Sequence, residues 1–214
     1  MSKHTIRTGL LPVNKTSRLK IPKKVTDSMI QKRMLKISTL RKCRAPSPND
    51  GVLYDGDRIV ALNQYSMLII RSSPVTVSEP FVLDSKGNTL GIEDYINYNQ
   101  VVPNMLNGLD NEVYSVLEML SRTMSAKQYR IRGEHYSYID RFPTLMFMPS
   151  KAVVNTMVLH PILEAIMLYD TMVRIYFAPT KIIMEGVFAT NKLLGIIALE
   201  RIAEVNYTIK PSDY

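Results

Sequence analysis

The sequence predicts an α+β fold: a single globular domain with antiparallel sheet and two or three helices, preceded by an extended basic N-terminal arm that carries a short amphipathic helix. Three observations predict it. Residues 1–48 hold 13 Lys/Arg against one acid, Asp27, whereas residues 49–214 hold 14 Lys/Arg against 18 Asp/Glu. All 12 Tyr and all 5 Phe lie at or beyond Tyr54. Through the aromatic-containing part, helical and strand patterns follow one another without the regular alternation of a doubly wound sheet.

A like-charged stretch without aromatics buries too little apolar surface to offset the entropy of ordering it. Residues 1–48 therefore read as an arm and residues 49–214 as an α+β body. The joint is Ala45–Pro46–Ser47–Pro48–Asn49–Asp50–Gly51, where Pro and Gly punctuate the chain. Pro12 and Pro22 keep the first half of the arm extended. From Asp27, an acid suited to cap free amides, Ile30, Met34 and Ile37 recur at helical spacing and predict a helix over 28–42. So short a helix is stable only if docked.

In the body, 57–64 and 66–72 read as strands on their Ile, Leu and Val content, and Pro74 and Pro80 limit 75–77 to an edge strand. Residues 84–88 are a turn cluster and 91–98 one or two helical turns. Leu109, Val113, Val116, Leu117, Leu120 and Met124 share one helical face, predicting a helix over 110–124. Residues 127–142 return to strand chemistry. Ser150 is suited to cap a helix through Val153, Val154, Met157 and Val158, and Pro161 to begin another running to Tyr169. Strands follow over 172–177 and 181–188, and 192–199 reads as either a strand or a helix continuing to Val205. The sequence contains no repeat of fixed period.

Chemistry is sparse. The nine glycines are scattered, so neither a phosphate-cradling loop ending in Gly-Lys-Ser/Thr nor a dinucleotide fingerprint is present, and no cofactor is expected. One Cys, Cys43, and three His (His4, His135, His160) do not make a zinc set, and no metal is expected. Asp55 and Asp57 flank Gly56 as a cation site would require, but Asp-Gly is also turn chemistry. His135 with Glu134 and Asp140 lacks a nucleophile nearby in sequence. The chain reads as a non-enzyme. It shows no signal peptide and no apolar run near the ~20 residues of a membrane span, and with a single cysteine it suits a reducing intracellular setting or a virion interior.

The outward-facing signals are cationic. Lys15, Arg18, Lys20, Lys23, Lys24, Lys32, Arg33, Lys36, Arg41, Lys42 and Arg44 in the arm are what phosphate backbones recruit through counterion release; the acidic body of a neighbouring copy is the alternative partner. In 127–141, Arg130 and Arg132 share strand parity with Tyr136 and Tyr138, pairing cations for phosphate with rings for stacking, a combination equally suited to protein interfaces. The 13 methionines suit a core, with 142–148 the one stretch that could instead be a docking strip.

Two functions fit. The first is a non-enzymatic structural or assembly protein of viral or phage type, whose basic arm contacts neighbouring subunits or nucleic acid. The second rests on the run Lys151–Phe188, a helix followed by antiparallel strands, which resembles the repeating unit of DNA sliding clamps. That resemblance implies a nucleic-acid-binding accessory factor, a processivity or transcription/replication component. Only 26 residues follow Phe188, too few for another such unit.

Overall fold

The structure is a computed structural model that describes residues 22, 24–39, 50–71, 73, 75–93, 95–103, 106–123, 143–189, 192–199 and 205–212. Helix α1 (Asp27–Ser38) is followed by β1 (Val52–Asp55), β2 (Arg58–Leu62), β3 (Ser66–Ile70), β4 (Phe81–Leu83) and β5 (Thr89–Leu90). A 3-10 turn over Tyr98–Gln100 leads to β6 (Asn111–Ser115) and α2 (Val116–Ser121). Then come β7 (Thr144–Phe147), β8 (Ala152–Asn155), α3 (Thr156–Ile166), β9 (Met172–Phe177), β10 (Lys181–Gly186), β11 (Leu193–Ala198) and β12 (Tyr207–Ile209). This is the α+β class the sequence predicts.

Nine strands form one sheet in the order β5-β4-β1-β2-β3-β11-β10-β9-β6, every neighbour antiparallel. The order has an internal symmetry. A helix and a three-strand meander occur twice, as α1 with β1–β2–β3 and as α3 with β9–β10–β11, and the last strands of the two meanders pair at the centre. There Ile70 opposes Leu193 and Leu68 opposes Gly195.

The central strands are buried on both faces, which is why they read as unbroken apolar runs. In β3, Leu68 and Ile70 face the helices while Met67 and Ile69 enter a second core on the other side. Loop residues Tyr95, Val102, Leu106 and Leu109 cover that second face. On the helical face, α3 comes close at Gly195: a Cβ there would meet the Met184 terminal methyl at 2.9 Å and Ile162 of α3 at 3.5 Å. A second sheet, β12-β7-β8, adds Leu145, Phe147, Val154, Tyr207 and Ile209 to the helical-side core. The stretch 144–147 is thus core, not a docking strip.

The expected N-terminal helix forms over a shorter range. Thr26, not Asp27, is its N-cap, and Asn63 donates to the Ile37 carbonyl at its other end (2.8 Å). Ile30, Met34 and Ile37 are fully buried in the helical-side core, and the helix lies beside α3 and on β1, β2 and β3. The division into an arm ending at residue 48 and a body from 49 therefore does not divide the core, which draws on both. Docking supplies what so short a helix lacks alone.

Elsewhere local chemistry overrides periodicity. Residues 111–115 form a strand on β9 instead of the first turns of a helix, because Ser115 caps a helix that begins only at Val116, accepting from the Glu118 amide. Tyr114, which points into the core from this strand, packs edge-on against Phe147 at 5.1 Å and Phe177 at 6.4 Å and donates to the Met148 carbonyl. Likewise Asn155, not Ser150, caps α3, so Val153 and Val154 belong to β8. Pro161 does not start a new helix but sits inside α3, where its absent amide leaves one ladder bond unmade. Residues 75–77 form no strand, the described residues of 91–98 hold no α-helical turn, and 193–198 resolve to a strand.

Replacing Met34 with Ala should lower stability by about 2–5 kcal/mol, the cost of a cavity in a closed core. Urea unfolding of the full chain checks this; a change near zero would mean that α1 does not share the core.

Candidate nucleic-acid interface

The basic residues named from sequence fall partly within and partly outside the described residues. Lys15, Arg18, Lys20, Lys23, Arg41, Lys42, Arg44, Arg130, Arg132, Tyr136 and Tyr138 lie outside the described residues, as do His135 and Asp140. Lys24, Lys32, Arg33 and Lys36 lie within them. All four are on or just before α1, so the described part of the candidate surface is one helix face.

The helix is amphipathic in a useful way. Burying Ile30, Met34 and Ile37 against the sheet turns Lys32 and Lys36 outward one turn apart, about 6 Å along the axis. Ser28, Gln31, Leu35 and Thr39 line a shallow depression with these two lysines. Lys36 also lies in the last turn, where a cation complements the helix dipole, and Asp27 lies in the first.

One acid from α3 faces this row. Glu164 takes an ion pair from Arg33 through one oxygen and a 2.6 Å hydrogen bond from Lys36 through the other. Its burial would raise its pKa, but the Lys36 hydrogen bond and the charges of Lys36, Arg33 and His160 outweigh that and hold it below the usual range. Four residues earlier on the same helix, His160 sits 2.8 Å from the Thr123 hydroxyl. Burial pushes His160 down to about 4; Glu164 opposes this, and Lys36 and Arg33 reinforce it. At neutral pH the cluster is therefore an ionised carboxylate, two cations and a neutral imidazole.

Sequence reasoning passes over Glu164, Thr123 and the environment of His160. A signal was present: His160 and Glu164, spaced i, i+4, interrupt an otherwise apolar helix, and such a pair faces something polar.

The Asp55/Asp57 pair resolves to a turn. Asp55 accepts from the Tyr98 hydroxyl at 2.7 Å, and Arg58 donates to that same hydroxyl at 3.3 Å. Asp57 is exposed, and its carbonyl accepts the Ser73 amide. Among the described residues no group of three or more His, Cys, Asp or Glu could hold a metal ion, and no helix is long and apolar enough to cross a membrane.

No protein-family model matches the chain, and no curated protein matches its sequence. Its fold is similar to solved structures of the DNA polymerase III beta subunit. The beta subunit of Borrelia burgdorferi aligns at a TM-score of 0.53 with 12% identity, over 84% of this chain and 64% of that one. The subunit of Thermotoga maritima aligns at 0.51 with 9% identity, over 83% and 63%. The beta clamp of Helicobacter pylori aligns at 0.54 with 8% identity, over 89% and 66%. The chain thus spans just under two thirds of the length of the structures it matches. At these identities the likeness is one of fold. It favours the clamp-like reading over the viral or phage assembly protein, which these neighbours do not support.

Burial pushes His160 in the folded chain from the ordinary 6.5 of a histidine down to about 4. The unfolded chain therefore binds more protons between those values, and stability must fall as pH drops through that window, by up to about 3 kcal/mol. Unfolding of the wild type and of His160→Gln across the same pH range checks this; the variant should show a flatter profile.

Proposed function

We propose that the chain is a non-enzymatic nucleic-acid-binding accessory factor built like a sliding clamp, which contacts a DNA backbone through the outward face of α1. The observation that carries this is the conjunction of a clamp-like fold over more than four fifths of the chain with a docked helix presenting Lys24, Lys32, Arg33 and Lys36. Fold likeness alone would be an analogy, because one fold hosts many functions. The cationic face supplies the chemistry.

Phosphates recur about every 3.4 Å of axis on each strand of a duplex. Lys32 and Lys36, about 6 Å apart along one helix face, are close enough to meet phosphates of the same strand together. Ser28 and Gln31 on the same face can donate hydrogen bonds to phosphate oxygens. Such contacts position a protein without reading sequence. The cations of residues 1–23 and 40–48, and Arg130 and Arg132 with Tyr136 and Tyr138, are proposed to extend this surface, with more than one copy of the chain taking part.

Duplex DNA of arbitrary sequence should bind the full chain with an affinity that falls steeply as salt rises, by about 0.9 in log–log slope per phosphate contacted. Lys32→Glu should weaken binding equally for unrelated sequences and reduce the slope by about one contact. Fluorescence anisotropy at several salt concentrations measures both; binding that is absent or insensitive to salt would remove the reading.

A further inference from the structure

We propose that Glu164 restrains the basic face of α1: by holding Arg33 and Lys36 it limits how many phosphates the helix neutralises, keeping backbone contact weak enough to be exchanged. This rests on the reading of α1 as a phosphate-binding surface and concerns how that surface is tuned.

The geometry is asymmetric. The side chain of Glu164 is 16% exposed, whereas those of Arg33 and Lys36 are 29% and 43% exposed. The carboxylate lies beneath the two cations, which remain open to an anion approaching from outside. A phosphate arriving there meets cations whose charge is already partly balanced, and it feels the repulsion of the carboxylate behind them. Among the described residues Lys32 forms no ion pair, and its side chain is exposed. The four basic residues of the face are therefore not equivalent.

His160 does not change this balance at neutral pH. Among the described residues, the titratable groups that act on Glu164 are Lys36, Arg33 and His160, and burial keeps His160 uncharged at neutral pH. Within that cluster Glu164 supplies the compensating charge. Backbone binding through released counterions allows a protein to slide and hop along DNA, and each further contact makes release costlier. A fixed internal anion beneath two of the cations lowers the number of counterions released without removing the cations that orient the surface.

The test is Glu164→Gln in the full chain, titrated with random-sequence duplex over a range of salt. Gln keeps the shape and one acceptor for Lys36. The variant should bind about three- to tenfold tighter at low salt, with a slope steeper by about 0.9 for each added phosphate contact. The triple variant R33Q/K36Q/E164Q carries no charge in the cluster and leaves none unpaired; it should lose the gain and bind no tighter than wild type. Thermal unfolding of each variant accompanies the titration, so that a loss of fold is recognised as such. Wild-type binding with unchanged or weaker affinity in a folded E164Q protein would overturn the inference while leaving the proposed function intact. So would a gain that persists in the triple variant. No salt-dependent binding by the wild type would instead overturn the function reading and this inference with it.

Discussion

The pairing of β3 with β11 is the contact on which the rest of the molecule depends. It joins two halves that each consist of a helix and an antiparallel meander, and it aligns them so that one sheet runs from β5 to β6. Because the seam is central, its residues are covered on both faces: Leu68, Ile70 and Ile197 toward the helices, Met67, Ile69 and Ile196 toward the loop that crosses the other side. A one-residue slip would exchange these two sets and place Gly195, the position where Ile162 and Met184 crowd the strand, on the wrong face. Register at the seam is therefore fixed by packing on two sides at once.

The helices inherit their positions from the seam. α1 rests on β1, β2 and β3 from one half, α3 touches β3 and β11, and the two helices lie against each other. Their apolar faces point inward, so polar residues collect at the rim of the helix–helix contact. There Glu164 meets Arg33 and Lys36, while deeper in, beside the end of α2, His160 meets Thr123. With Arg33 and Lys36 open to solvent these ion pairs add little to stability, and the importance of this cluster lies elsewhere. It determines where the charge of α1 is displayed and how much of it is already compensated.

Much of the fold was legible because apolar runs bounded by turn residues have few alternatives. β2, β3, β9 and β10 appear within a residue or two of their expected ends. The turn at 84–88 forms through the Asp84 carboxylate, which accepts from the Lys86 and Asn88 amides. The junctions of β6 with α2 and of β8 with α3 were misread for one reason. Leu109, Val113, Val116, Leu117 and Leu120 satisfy a helical period, but the Ser115-x-x-Glu118 pattern is a cap inside that period, and caps mark boundaries that periodicity cannot. Asn155 plays the same part before Thr156. The symmetry of the halves left no trace of repeated residues, since it lies in the order of elements. Of the candidate site, the cations were legible from charge alone. Glu164 is marked in sequence only as a polar break, with His160, in an apolar helix; that it faces Arg33 and Lys36 becomes visible only once α1 is docked.

The central claim is that the outward face of the docked helix α1 meets nucleic-acid backbone while the far end of the sheet does not. Lysine acetylation of the full chain, with and without duplex DNA and read by mass spectrometry, tests it most directly. The account predicts that Lys24, Lys32 and Lys36 lose reactivity when DNA is present, whereas Lys86, in the turn between β4 and β5, keeps its own. Protection at Lys86 with Lys32 and Lys36 unchanged would contradict it.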